Sequence, residues 1–155
     1  MYGKATETAI AAMSRLAEAY DGGVTRLSAT EIAQSRGLQR PFLGKILSSL
    51  SQAGLIEGTR GPGGGFTFTR PPKEVTLYEV YAVFEREETS KHCPFGGGIC
   101  GTDDNCPLHD RMEAVDRAMD KVLHKTDFDV FHRSFTASKG KANWRLGDSS
   151  SKTAK

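Results

Sequence analysis

The chain has 155 residues, of which 37% are hydrophobic and 26% charged, a size and composition typical of one soluble domain with an appendage. No apolar run approaches the roughly 20 residues of a membrane helix and the N-terminus has no secretory pattern, so we expect a cytoplasmic protein. The net charge is +3 over residues 1–70, −5 over 71–110 and +4 over 111–155. Basic ends around an acidic middle are typical of proteins with an anionic partner, and ordinary solvated surfaces give the same pattern.

The first half of the chain predicts three helices in close succession. Apolar residues at helical spacing predict a first helix over 5–20. Ser28 and Glu31 form a capping box for a short helix over 29–36, which Gly37 ends. Pro41 in the first turn and Gly54 at the end bound a third helix. The predicted buried residues of that helix are Phe42, Leu43, Ile46, Leu47 and Leu50.

Two strands and further helices follow. Residues 55–58 and 66–69 predict strands around a glycine-rich turn, and Thr76 is expected to cap a helix that runs through 75–84. Apolar residues then recur at spacings of 4, 3, 4 and 3, the repeat of a long helix packed lengthwise on another helix. They are Leu108, Met112, Val115, Met119 and Val122. Thr126 begins a short last helix, and residues 138–155 are expected to be disordered.

This order of elements, mainly α with a small β-wing, is that of a winged helix-turn-helix. A helix fits the major groove of DNA, and the residues at its N-terminal end reach the base edges. Gln39, Arg40 and Lys45 are the polar residues nearest that groove, and Arg60 in the glycine-rich turn suits a minor groove. A small helical domain with a hairpin and no DNA role is the alternative. The predicted DNA-binding residues are Ser28, Gln39, Arg40, Pro41, Lys45, Arg60, Gly61 and Gly63.

Cys93, Cys100 and Cys106 are the only cysteines, and they have the spacing C-x6-C-x5-C. An odd number argues against a disulfide framework, and thiolates are preferred ligands of iron–sulfur clusters, zinc and Cu(I). Structural zinc usually has tighter pairs, so the wide spacing favours a cluster. Three thiols without a ligand are the alternative. No base stands beside any cysteine in the sequence pattern, so we do not expect an enzyme.

Three thiolates leave one coordination position open. His109 follows Cys106 by three residues, so a helical turn would place both on one side, although a histidine that only caps the helix has the same spacing. The other candidates, the last of them from the first helix of a partner chain, are His92, Asp103, Asp104, Asp110 and Glu7. A non-thiolate ligand makes a cluster easier to lose or attack, which suits a sensor.

Four segments carry a resemblance to a known family. They are residues 27–33 at the start of the helix-turn-helix, 50–56 at its end, 60–66 with 70–72 in the wing, and the three cysteines. Together they resemble the bacterial winged-helix regulators of the IscR, NsrR and RirA type, called the Rrf family. The wing motif is the most specific of the four, and the resemblance covers about residues 1–136.

The resemblance implies a homodimer that binds a palindromic operator, dimerises through the long helix and holds a 2Fe–2S or 4Fe–4S cluster on the three cysteines. In such regulators the fourth ligand is a histidine shortly after the third cysteine, which His109 matches, or an acidic residue of the first helix. At the latter position this chain has Thr8 beside Glu7. The family's usual spacing is C-x5-C-x5-C, and the first gap here is one residue longer.

We therefore expect a DNA-binding regulator of transcription that is switched by a cluster and senses iron, cluster supply, redox stress or nitric oxide. A zinc-stabilised or thiol-redox-sensing winged-helix protein is the alternative. The predicted DNA-binding domain spans residues 1–84 and the cysteine loop 85–107. The dimerisation helix and a short helix span 108–137, and the tail spans 138–155.

Overall fold

The chain forms six α-helices and one two-stranded antiparallel sheet in residues 2–85 and 106–141, which the computed structural model describes. The elements are α1 (Lys4–Glu18), α2 (Ala29–Arg36), α3 (Arg40–Gln52), β1 (Ile56–Thr59), β2 (Gly65–Phe68), α4 (Leu77–Phe84), α5 (His109–Lys125) and α6 (Asp129–Ala137). This confirms the predicted architecture, mainly helical with a small wing. Residues 86–105 of the predicted cysteine loop and 142–155 of the predicted tail lie outside the described residues.

The central helix of the fold is α1. It contacts α2, α3, α4, α6 and β2. Ala9, Ala12 and Met13 on this helix are fully buried, and Leu16 is nearly so. Alanine side chains let neighbouring helices approach closely, which is why one helix can pack against so many others.

The strands lie one residue away from their predicted bounds, because hydrogen bonding rather than composition decides where they begin. The Leu55 amide donates to the Leu50 carbonyl at 3.1 Å and closes the end of α3, so β1 begins only at Ile56. Gly65 was expected in the turn, but it pairs with Thr59 and starts β2.

The fourth helix begins two residues later than predicted. Thr76 and Glu79 form a capping box, in which the Glu79 carboxylate accepts from the Thr76 amide at 2.9 Å. A residue in the capping position has extended backbone, so Val75 before it cannot be helical. Val75 is instead buried in the core.

Phe128 docks the C-terminal part of the chain on the core. Its amide donates to the carbonyls of Pro72 and Val75 at 3.2 and 3.0 Å. Its ring is fully buried, 5.9 Å from the ring of Phe68 and 5.8 Å from that of Phe131. Because these bonds hold the backbone before α6, that helix begins at Asp129 and not at the predicted residue 126.

Candidate functional site

Two local devices build the turn between α2 and α3. Glu31 accepts from the Ser28 amide at 2.7 Å, and Ser28 accepts from the Glu31 amide at 3.2 Å, which confirms the predicted capping box. These bonds from Ser28, through its amide first and its hydroxyl second, lower the pKa of the Glu31 carboxyl. Gly37, at φ 67°, ends α2 in the left-handed conformation, and the Leu38 amide donates to the Ala33 carbonyl at 2.9 Å.

The third helix has one buried face and one exposed face. Its buried residues are Leu43, Ile46, Leu47 and Leu50. The predicted DNA-binding residues Gln39, Arg40, Pro41 and Lys45 are all exposed. Phe42 was predicted to be buried, but it is 36% exposed, so that prediction is wrong. At 100° per residue Phe42 lies at the border of the apolar stripe, where periodicity alone does not decide burial.

The wing is a tight glycine turn that carries Arg60. Gly61 and Gly63 have φ values of 91° and 73°, which residues with a Cβ rarely adopt. A Cβ on Gly64 would lie 2.5 Å from the Thr59 carbonyl oxygen, so this position also requires glycine. The turn is therefore compact, and Arg60 is exposed at its start.

A β-bridge ties the base of the wing to the helix-turn-helix. Leu27 and Phe66 exchange backbone hydrogen bonds of 3.0 and 2.8 Å, and Leu27 directly precedes the Ser28 cap of α2. Arg26 adds an ion pair of 2.8 Å with Glu57 on β1. Sequence reasoning missed these contacts, because the two partners of the ion pair are 31 residues apart and no local spacing connects them.

At the other end of the chain, Cys106 and His109 lie in one turn at the start of α5. The His109 amide donates to the Cys106 carbonyl at 3.1 Å, and Cys106 is a free cysteine. Thiolate and imidazole are donor types that iron–sulfur clusters accept, so this turn fits the predicted ligand pair. Cys93 and Cys100 lie outside the described residues. Within residues 2–85 and 106–141, no group of three His, Cys, Asp or Glu side chains could hold a metal ion.

The alternative ligands are placed as follows. Glu7 forms an ion pair of 3.0 Å with Lys4 on the first turn of α1, and Asp110 is exposed on α5. His92, Asp103 and Asp104 lie outside the part of the chain that the structure describes. The complete ligand set, His109 included, is therefore still a prediction.

Helix α5 carries an apolar stripe that is only partly covered in the described part of the chain. Leu123 is the one buried residue among the seventeen described residues of this helix. Val115 and Val122, one heptad apart, are 46% and 50% exposed. Leu108, the first residue of the predicted stripe, caps the helix and is not part of it. An exposed stripe with this repeat is typical of a helix that packs on a helix of another chain.

Glu85, next to the cysteine-bearing residues 86–105, is fixed on α1. Its carboxylate accepts from the Gly3 amide at 2.7 Å and from the Thr6 hydroxyl. Gly3 occupies the capping position of α1 and has no side chain, and Glu85 satisfies the free amide of Gly3 at this end of the helix. A negative charge is also favourable at a helix N-terminus. Sequence reasoning missed this contact, because 82 residues separate Glu85 from Gly3.

Comparisons with known proteins agree with this geometry. A family model described as Rrf2, iron-dependent transcriptional regulator, matches residues 2–133. Protein aau3 of Rhizobium meliloti is 38% identical over 94 residues, which are 60% of this chain and 61% of that protein. The HTH-type transcriptional regulator IscR of Cereibacter sphaeroides is 28% identical over 120 residues, 76% of this chain and 77% of IscR. The chain thus spans about three fifths of the length of the first of these relatives.

Two solved structures share the fold. CymR, the global cysteine regulator of B. subtilis, has a TM-score of 0.69 at 21% identity, over 86% of this chain and 97% of CymR. T. potens IscR has a TM-score of 0.67 at 22% identity, over 92% of this chain and 93% of IscR. Both confirm the fold.

The fold, the exposed face of α3 and the glycine wing define a protein of the winged helix-turn-helix class. Within this class the chain belongs to the Rrf2 family, since the family model matches most of its length. This confirms the resemblance that the sequence motifs predicted, and it counts the chain among regulators and not among enzymes. None of the helices in residues 2–85 and 106–141 has the length and apolar character that a membrane crossing requires.

Proposed function

We propose that the chain is a cytoplasmic, dimeric regulator that binds operator DNA with α3 in the major groove and the wing in the minor groove. The observation that carries this proposal is the exposed surface of α3, where Lys45 lies opposite the buried stripe and Arg40 is exposed as the first residue of the helix. Arginine forks onto guanine, and Gln39 at the helix start suits adenine. Arg60 brings positive charge to a narrow groove, where the negative potential is concentrated.

Binding assays on single-site variants test this proposal. The probe is a duplex selected by the full-length wild type from a random library, with affinity measured by fluorescence anisotropy at several salt concentrations. Arg60→Ala should lose about 1–3 kcal/mol of specific binding. Lys45→Ala should reduce the slope of log affinity against log salt concentration by about one for each phosphate contact that is lost. Arg133→Ala, on α6, is the matched control and should bind like the wild type. Unchanged affinity in both Arg60→Ala and Lys45→Ala would overturn the proposal.

The dimer is proposed from the exposed stripe on α5. Val115 and Val122 lie one heptad apart on a helix whose described residues are mostly exposed, so a second copy of α5 would bury both. A Val115→Glu, Val122→Glu double variant should sediment as a monomer and bind the operator more weakly, because one half-site is lost per molecule. Lys121→Glu adds a comparable charge off the stripe and should stay dimeric. A wild type that is monomeric at micromolar concentration would contradict this interface.

We also propose that Cys93, Cys100 and Cys106 hold a 2Fe–2S or 4Fe–4S cluster, with His109 as the fourth ligand. The turn that joins Cys106 to His109, the free cysteine and the family's description as iron-dependent support this assignment. When bound, the cluster supplies a labile, redox-active group whose loss or attack reports iron, cluster supply, redox stress or nitric oxide. The ends of the cysteine segment connect to the fold through Glu85 on α1 and Cys106 before α5. The state of the segment would thereby shift the population of binding-competent dimers.

Anaerobic purification followed by a visible absorption spectrum and by iron, sulfide and zinc analysis tests the cluster. A brown protein with equal iron and acid-labile sulfide is expected. Cys106→Ser should be colourless, and His109→Ala should be brown but lose its colour faster in air. Colourless protein with stoichiometric zinc would instead establish the zinc-stabilised alternative, and metal-free protein whose operator affinity changes on thiol oxidation would establish the thiol sensor. Equal operator affinity with and without the cluster would refute the switch.

A further inference from the structure

Phe42 is an aromatic side chain at the edge of the outward face of α3. It is 36% exposed, whereas the neighbouring apolar residues Leu43 and Ile46 are buried. Phe42 precedes Lys45 by three residues, so the two side chains share one side of the helix. The exposed part of the ring contributes little to the fold, but it would stabilise a complex in which an apolar group covers it.

Gly44 provides a second, independent observation at the opposite edge of the outward face, since residues two apart lie about 200° apart around a helix. It lies four residues after Arg40 and four before Ser48, both of which are exposed. Glycine is less favourable than alanine inside a helix, and a Cβ at this position would meet no atom within 4 Å. Packing within the described chain therefore does not require glycine here. What the missing side chain does permit is a close approach of the α3 backbone to a surface outside the chain.

The geometry points to a thymine-reading element: Gly44 lets α3 approach the base edges, and Phe42 covers the 5-methyl group of a thymine. That methyl is the apolar group that base pairs present in the major groove. Arg40 and Lys45 flank Phe42 in sequence and supply the polar and charged contacts with DNA, which leaves the apolar contact to Phe42. This inference rests on the proposed function, in which α3 enters the major groove.

Exchange of single thymines for uracil, which lacks the methyl group, tests the contact. In the duplex selected by the wild type, one thymine per half-site should be sensitive, and its exchange should lower wild-type affinity about three- to fivefold. Phe42→Ala should bind the thymine and uracil duplexes equally, while Phe42→Leu should retain part of the preference. Phe42 is 36% exposed and therefore partly covered, so Phe42→Ala should lower the thermal midpoint modestly and Phe42→Leu, which is closer in size, should lower it less. Affinities are therefore compared at a temperature at which all variants are folded.

The Gly44→Ala variant separates close approach from folding. It should raise the thermal midpoint, because alanine favours the helix, and lower operator affinity by about tenfold. A Phe42→Ala variant with the uracil sensitivity of the wild type would overturn the thymine contact. A Gly44→Ala variant with wild-type affinity would overturn the close approach. In either case, weakened binding by Arg60→Ala would leave the proposed function standing, whereas a wild type that selects no duplex would overturn both.

Discussion

Replacing Glu18 by methionine should destabilise the chain more than replacing its partner Arg36 by methionine. Arg36 is the last residue of α2, its side chain is 0% exposed, and its Nη2 lies 2.5 Å from Glu18 Oε1 on α1. Its Nε donates to Ser14 Oγ at 3.2 Å. The other carboxylate oxygen of Glu18 lies 3.1 Å from Nη1 of Arg15, which is partly exposed. Loss of Glu18 therefore removes the carboxylate beside a fully buried guanidinium, whereas loss of Arg36 leaves Glu18 paired with Arg15.

The expected magnitudes follow from this asymmetry. Glu18→Met removes the carboxylate that balances a fully buried guanidinium, a change that costs about 3–5 kcal/mol. Arg36→Met leaves Glu18 with Arg15 as its counter-charge and puts an apolar chain in the buried space, so about 1–3 kcal/mol of charge-assisted hydrogen bonding is lost. In the double variant no charge is buried at this place. It should therefore be more stable than Glu18→Met alone.

Urea unfolding of the full chain, followed by circular dichroism, measures these differences. All variants are compared at one protomer concentration, because association shifts apparent stability. Lys4→Met is the control, since it removes an exposed ion pair with Glu7 and should cost less than about 1 kcal/mol. The reasoning is refuted if Arg36→Met is the costlier single change, or if the double variant is no more stable than Glu18→Met.

Three further outcomes are expected. Glu85→Leu should lower the free energy of unfolding in urea by about 1–2 kcal/mol, because it removes the carboxylate at the start of α1. It should also reduce the difference in operator affinity between cluster-loaded and cluster-free protein. Unchanged values of both quantities would refute the role of this contact. Thr76→Ala should cost about 1 kcal/mol through loss of the α4 capping box, and a cost near zero would contradict it. The hydrogen bonds from Ser28 lower the pKa of Glu31. The ionised Glu31 carboxylate therefore stabilises the fold above the ordinary carboxyl pKa of about 4, and this stabilisation is lost as the pH falls through the lowered pKa of the folded state. The stability advantage of wild type over Glu31→Gln should shrink on acidification, and an advantage that is constant down to about pH 2 would count against this assignment.

The features that sequence predicted well are those decided by neighbouring residues. The Ser28 capping box and the left-handed Gly37 gave the bounds of α2 without error, because both devices act within four residues. The glycine-rich turn between the strands was predicted in the same way, and the structure gives its Gly61 and Gly63 positive φ values. Such local hydrogen bonds and conformational preferences need no knowledge of the rest of the fold.

The features that sequence did not predict depend on contacts between distant parts of the chain. Glu85 caps α1 from 82 residues away, and no periodicity connects the two. Phe42 fits the apolar spacing of α3, yet whether a residue at the border of a stripe is covered depends on what packs beside it. Gly65 looked like part of the turn by composition, but its pairing with Thr59 made it part of the sheet. Tertiary packing decided each of these positions.

The placement of α1 connects the proposed sensing and DNA-binding parts through one rigid element. Its N-terminus is capped by Glu85, beside the cysteine-bearing segment, and its last turn is paired with Arg36 of the helix-turn-helix. Between these ends it packs on α3, α4 and α6. It also contacts β2 of the wing, whose base is held by Leu27 and Arg26 just before α2. Under the proposed function, a change at residues 86–105 that released Glu85 would reach both α3 and the wing strand β2 through α1, so the contacts of both with DNA would respond.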